Sequence, residues 1–158
     1  MTLRTTTVNG GQTGARATPV DAKEQTELQE VLAISPTFRA LSEQHIDALL
    51  RTAHVERIAA DTIIGREGER SQRLFLILRG DVDAFWGEKL REVLLNYNRG
   101  GVFGGGALLD EENAYSYATS RETLVASWDK DALRRAEARA PGLHAQLLKR
   151  LSIGVRLA

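Results

Sequence analysis

The sequence predicts a mainly β domain, a roll or sandwich of short strands with helices at both ends. Three observations lead to this fold class. Segments rich in β-branched and aromatic residues between residues 55 and 128 are short, glycines separate them at close intervals, and helical spacing of apolar residues is confined to the two ends. Many short strands joined by glycine turns are typical of such folds rather than of a parallel sheet.

Two helices are predicted before the strands. The first follows Pro19, has Asp21 as its cap, and ends at Ser35-Pro36, because proline disfavours helical geometry in the residue before it. The second places Phe38, Leu41, His45, Leu49 and Ala53 on or near one face, and Ser42 is suited to cap its regular part.

Seven strands are predicted next, of which the continuous apolar run from Leu74 to Leu78 is expected to be buried. They are Val55 to Ala59, Thr62 to Ile64, Leu74 to Leu78, Val82 to Trp86, Val93 to Leu95, Tyr115 to Thr119, and Leu124 to Trp128. Two helices then close the chain, one over residues 132–140 after Asp129 or Asp131, and one over 142–157 after Pro141.

The domain organisation follows from these elements. We expect one domain over residues 21–158, made of helices in 21–53, a β-roll in 54–128 and C-terminal helices in 129–157. Residues 2–18 hold six threonines, three glycines and few large apolar side chains, so residues 1–20 are predicted to be a disordered tail. A docking peptide that orders on a partner is the alternative for this tail.

Composition excludes several functional classes. Lys+Arg and Asp+Glu both total 21, so the chain has no net charge and lacks the basic surface that sequence-independent nucleic-acid binding needs. Cysteine is absent, which excludes disulfides, thiolate metal centres and a cysteine nucleophile. The longest apolar run has five residues, too few to cross a bilayer, and we see no secretion signal. We therefore expect a cytoplasmic protein with no membrane, metal or direct nucleic-acid contact.

Two motifs, which follow one another along the chain, resemble those of the cyclic-nucleotide-binding domain superfamily of catabolite activators and kinase regulatory subunits. The first runs from Ile63-Ile64-Gly65-Arg66-Glu67-Gly68-Glu69 through the strand Leu74–Leu78 to Arg79-Gly80-Asp81-Val82. The second is Gly101-Val102-Phe103-Gly104 followed by Ala107-Leu108-Leu109, which is similar to the phosphate-binding cassette of that superfamily. The resemblance implies a double-stranded β-helix, or jelly-roll-like, fold and a regulatory rather than catalytic role.

The glycines of the second motif admit two interpretations from physical chemistry alone. No side chain covers the backbone N–H groups of Gly104, Gly105 and Gly106, which precede a short helix predicted to start near Ala107. Exposed N–H groups at the start of a helix attract anions. The alternative is that the glycines only let a loop turn tightly against the roll. Phe103, Gly104, Gly105, Gly106 and Ala107 are therefore candidate ligand-binding residues.

The sequence departs from the superfamily at two positions that hold the nucleotide. A glutamate that accepts from the ribose hydroxyl is replaced by Gly105, and the arginine expected nine or ten residues later falls on Ala114 or Tyr115. A charge-assisted hydrogen bond contributes about 1.5–3 kcal/mol, so losing both groups weakens a micromolar site by roughly 10²–10⁴-fold. Tyr115, Ser116 and Tyr117 are candidates for contacting another ligand, or alternatively for covering an emptied pocket.

We therefore expect a non-enzymatic regulatory or adaptor module that acts through protein–protein interaction and has no firmly bound cofactor. The alternative is a sensor that binds a cyclic nucleotide or another small anion in the 104–107 cassette and transmits this through the C-terminal helices. Leu143, Leu147 and Leu151 recur every four residues on the last helix and are the candidate interaction residues for a protein partner or homodimer. Only 17 residues follow Pro141, too few for a helix-turn-helix, so we predict no DNA-binding domain.

Overall fold

A computed structural model describes the backbone of residues 21–87 and 92–157 and the side chains of these residues up to Leu151. The predicted disordered tail, residues 1–20, lies outside the described residues. Helix α1 (Ala22–Ile34) and helix α2 (Glu43–Thr52) precede the strands, and helices α3 (Lys130–Arg139) and α4 (Leu143–Leu157) follow them. None of the helices in the described ranges is long and apolar enough to cross a membrane.

The predicted capping residues form the hydrogen bonds that fix the helix starts. Asp21 accepts from the backbone N–H of Glu24 at 2.7 Å and Ser42 accepts from that of His45 at 3.3 Å. Asp129, one of the two residues predicted to cap α3, accepts from Ala132 N–H at 2.8 Å. The predicted second helix began too early, because Phe38 and Leu41 lie in turns before Ser42.

Within the described residues, eight strands form two antiparallel sheets of four. The first has the order β1-β8-β3-β6 and the second has the order β2-β7-β4-β5. Their bounds are β1 His54–Ile58, β2 Ile63–Gly65, β3 Arg73–Arg79, β4 Val82–Trp86, β5 Glu92–Tyr97, β6 Val102–Phe103, β7 Ser116–Thr119 and β8 Thr123–Asp129. All seven predicted strands are present, and the two-residue β6 is an addition that sequence analysis did not predict.

Strand β3 separates two hydrophobic cores, which explains its unbroken apolar sequence. Leu74, Leu76 and Leu78 face the core shared with the helices, while Phe75 and Ile77 face the core enclosed between the two sheets. Because both faces are covered, five consecutive apolar residues are buried, as the sequence predicted. This mainly β architecture with flanking helices agrees with the predicted fold class.

The second sheet exposes one apolar edge. Strand β5 pairs only with β4 among the described strands, and Val93, Leu94 and Leu95 on it are 53%, 36% and 39% exposed. Trp86 at the end of β4 is 54% exposed, whereas its neighbour Phe85 is buried. The pattern of the apolar residues in β4 and β5 did not indicate this exposure.

Candidate functional site

The glycine cassette, residues 103–107, turns sharply out of strand β6 into a 3-10 turn over Gly105–Leu108. Gly104 has a φ of 82°, and a Cβ atom placed on it would lie 2.3 Å from the carbonyl oxygen of Arg73. Both the left-handed backbone and the close approach of β3 therefore require glycine at this position. Ser71 adds a second connection, since its hydroxyl donates to the Gly104 carbonyl at 3.0 Å.

Gly105 has an ordinary backbone conformation, so its lack of a side chain has a different reason. A Cβ atom placed on Gly105 would lie 3.3 Å from Cδ1 of Leu151, a residue of helix α4. A side chain at position 105 would thus begin in tight contact with Leu151. A glutamate, the residue implied here by the resemblance, would fit only if this leucine moved.

Gly106 and Ala107 are held inside the cassette by backbone hydrogen bonds. Ala107 N–H donates to the Gly104 carbonyl at 3.1 Å, and Glu111 N–H donates to the Gly106 carbonyl at 2.9 Å. Ala107 is 5% exposed and belongs to the buried surface of the turn. The cassette is therefore a tightly connected turn packed between β3 and α4.

Aromatic rings fill the space between the two sheets beneath the cassette. The Phe103 ring stacks on Phe75 with the ring centroids 4.8 Å apart and contacts the Tyr117 ring, also at 4.8 Å. Tyr97 approaches Phe103 at 5.6 Å and Tyr117 at 6.4 Å. Tyr117 is 8% exposed, and burial, followed by the neighbouring tyrosines, raises the pKa of its hydroxyl well above the ordinary range. Tyr117 thus lies inside the roll as a core residue.

Tyr115 and Ser116 both make contacts within the protein. The Tyr115 ring stacks on Trp86 with centroids 5.7 Å apart, and the Trp86 indole donates to the carbonyl of Ala114 at 3.0 Å. The Ser116 hydroxyl accepts from the backbone N–H of Glu67 at 3.0 Å. The structure therefore brings Tyr115 and Tyr117 into one aromatic cluster, and Ser116, the first residue of β7, connects that strand to the turn after β2.

A small cavity of about 60 Å³ remains beside the cassette, lined in part by Glu69, Arg70, Ser71, Arg73, Asn113 and Tyr117. Typical pockets for small molecules have about 300–1,000 Å³. This cavity is therefore large enough only for a few water molecules or a small ion.

Arg73 is a buried charged residue beside the cassette, and its side chain is only 3% exposed. Its guanidinium donates to the Glu56 carboxylate at 3.0 Å and to the Ser127 hydroxyl at 3.2 Å. Glu56 lies on β1, so no local pattern in the sequence could have revealed this pair. The Glu56 carboxylate thus balances the positive charge of Arg73, which also lines the cavity.

Asp110, which follows the cassette, is ion-paired on both sides. Its carboxylate accepts from Lys130 at the start of α3 and lies 3.1 Å from Nη1 of Arg70. The hydrogen bond from Lys130, followed by the charge of Arg70, holds the pKa of this carboxyl below its usual range. The negative charge of Asp110 is thus balanced by Lys130 and Arg70.

The predicted interaction residues of the last helix face inward. Leu143 and Leu147 are 1% and 0% exposed and lie in the core shared with the other helices. They are not open to a partner while α4 stays packed, because the chain itself covers them. Leu151 is partly buried and contacts Gly105, a pairing that sequence analysis missed because the two residues are far apart in the chain.

Comparison with known proteins gives a consistent result. A cyclic nucleotide-binding domain from Methylobacillus flagellatus is 23% identical with a TM-score of 0.68, and the match covers 85% of this chain and 79% of that one. The Thermus thermophilus catabolite activator protein is 22% identical with a TM-score of 0.66, over 77% of this chain and 59% of that one. These likenesses confirm the predicted jelly-roll fold.

Sequence comparison identifies the family. A cGMP-dependent protein kinase of Eimeria tenella is 34% identical over 116 residues, which are 70% of this chain and 11% of the kinase, so the chain spans only a small part of that protein. The family model of the cyclic nucleotide-binding domain matches residues 55–139, which include the roll, the cassette and helix α3. On this match, which covers more than half of its residues, the chain belongs to the cyclic nucleotide-binding domain family.

Proposed function

We propose that this chain is a non-enzymatic regulatory or adaptor module that acts through protein–protein interaction and does not respond to micromolar cyclic AMP or cyclic GMP. One observation carries the proposal: Leu151 fills the space beside Gly105 where nucleotide binding would need a carboxylate. An apolar side chain cannot accept the ribose hydrogen bond, and burying that hydroxyl unpaired costs free energy.

The aromatic cluster supports the same proposal. The position at which the family pattern has an arginine for the cyclic phosphate falls on Ala114 or Tyr115, and neither side chain carries a positive charge. Tyr117 is packed against Phe103 and Tyr97 in the space between the sheets. A phosphate placed there would lose its hydration without gaining a cation. Binding would also require displacement of rings whose packing stabilises the roll.

The exposed edge of the second sheet supports an interaction role. Val93, Leu94 and Leu95 lie on β5, and Trp86 lies at the adjacent end of β4, all at least one third exposed. An exposed, apolar edge strand offers both unpaired backbone groups and apolar surface to another protein or a second copy. In this proposal the edge, rather than the buried leucines of α4, contacts the partner.

A sensor of a different small anion is the second candidate. Arg70, the Ser71 hydroxyl and the cassette backbone border the small cavity, and Arg70 is about half exposed. An anion of the size of inorganic phosphate would compete with Asp110 for this guanidinium.

Calorimetric titration of the full chain tests the proposal. With cyclic AMP and cyclic GMP we expect no binding heat below about 1 mM, and a micromolar Kd for either would refute it. A matched variant that restores the missing groups, Gly105→Glu/Tyr115→Arg/Leu151→Ala, should bind at least tenfold more tightly than the natural chain. Titration with inorganic phosphate separates the second candidate, because only that candidate predicts heat. Near-ultraviolet circular dichroism establishes that each sample is folded.

A further inference from the structure

The start of helix α4 is fixed by contacts within the chain. The Glu137 carboxylate of α3 accepts from the backbone N–H groups of Gly142 and His144, each at 2.8 Å. It therefore acts as a cap for the first turn of α4. Leu143 and Leu147, in the first and second turns of α4, are buried in the core. The direction of α4 is thus set before the helix reaches the cassette.

Further along, α4 packs directly on the cassette. Leu151 approaches Gly105 so closely that even a methyl group there would crowd it, with 3.3 Å to Cδ1. A side chain at position 105 would therefore require Leu151 to shift. The apolar contact thus buries surface of α4 on the same turn that a nucleotide would otherwise occupy.

A second connection joins the cassette to the C-terminal helices. Asp110 pairs with Lys130, the first residue of α3, and with Arg70 in the turn before β3. Because all three side chains are more than one third exposed, these pairs orient the turn more than they stabilise it. They keep the end of the cassette beside the first residue of α3.

We infer that helix α4 is held on the cassette by the chain itself, through the Glu137 cap at its start and the Leu151–Gly105 contact, so that its docked position needs no ligand. This inference rests on the proposed function, in which the cassette does not take up a nucleotide. The docked α4 is then the resting state of the module, and release of α4, rather than binding at the cassette, is the event available for regulation. Release would expose Leu147 and Leu151 together.

Hydrogen exchange measured by mass spectrometry on the full chain tests this inference. The readout is the exchange rate of peptides covering residues 143–157, with and without 1 mM cyclic AMP. We expect the same protection in both conditions. Gly105→Gln, which pushes Leu151 away, and Leu151→Ala, which removes it, should each raise the α4 exchange rate roughly 5–30-fold. Leu95→Ala on the exposed edge strand is the matched control and should leave it unchanged.

Peptides from β3 report whether a variant has unfolded as a whole, and their exchange should stay at the natural rate. The inference is overturned if α4 is unprotected in the natural chain, if cyclic AMP slows its exchange, or if both variants match the natural chain. Nucleotide binding heat with unchanged α4 exchange would refute the proposed function but not this inference. Absence of heat with an unprotected α4 would refute this inference alone.

Discussion

Truncation of Tyr117 measures whether the interior of the roll is filled or open. An aromatic side chain buries about 150–250 Å², and Tyr117 is 8% exposed, so nearly all of this area is removed from water. At about 25 cal/mol per Å² the burial contributes about 4–6 kcal/mol. Residual burial in the unfolded chain and the polar hydroxyl reduce this, so Tyr117→Ala should lower the free energy of unfolding by about 3–5 kcal/mol.

Urea unfolding followed by circular dichroism gives this free energy directly. Tyr117→Phe is the matched control, because it keeps the ring contacts with Phe103 and Tyr97 and removes only the hydroxyl; it should cost less than about 1.5 kcal/mol. If the alanine variant costs less than about 1 kcal/mol, the ring lines an open pocket instead of forming a core. That result would refute the argument that the roll has no room for a nucleotide.

Three further predictions address the cassette, the cap of α4 and the exposed edge. Gly104→Ala should destabilise the domain by about 3 kcal/mol in the same assay, since its φ is 82° and its Cβ would meet the Arg73 carbonyl at 2.3 Å; an unchanged midpoint would contradict this. Backbone N–H donors lower the pKa of Glu137, so its stabilisation is present above the unfolded-state pKa of about 4.3 and is lost as the pH falls through the folded-state pKa. Glu137→Ala should accordingly cost about 1 kcal/mol at pH 7 and progressively less as the pH falls through the folded-state pKa, and a loss that does not change with pH would argue against the cap. Val93→Lys should change the free energy of unfolding by less than about 0.5 kcal/mol, because Val93 is 53% exposed on an edge strand. The same substitution should weaken concentration-dependent association in sedimentation velocity. Unaltered association would exclude this edge as the surface that contacts another protein.

Local signals were sufficient to predict most of the fold. Capping at Asp21 and Ser42 depends on residues three apart, and the period of the apolar residues depends on one element at a time. The two-residue strand β6 gave no such signal, because its pairing with Phe75 and Leu76 is set by the tertiary structure. Tertiary structure also explains why the second helix was predicted to start too early. Phe38 is buried in the core although it lies in a turn, so its apolar character did not indicate a helix.

The site was harder to predict because its contacts join distant parts of the chain. Comparison with the family pattern could identify the departures from the sequence alone: Gly105 stands where the pattern has a carboxylate, and Ala114 or Tyr115 where it has an arginine. It could not indicate the contacts that surround the cassette, because they join distant segments. Arg73 pairs with Glu56 on another strand, and Leu151 contacts the cassette from the last helix. Such pairs have no spacing rule.

The packing of Leu151 against Gly105 contributes to the stability of the domain without a ligand. A glycine at position 105 alone would leave a gap beside the buried Ala107, and unfilled gaps in a core cost stability. Leu151 fills that gap with apolar atoms, so the loss of a polar binding group is coupled to a gain in packing between α4 and the cassette. Restoring a glutamate at position 105 while Leu151 remains would therefore both crowd the helix and bury a charge without a partner. For this reason a variant that restores the glutamate should change both positions together, as the triple variant proposed above does.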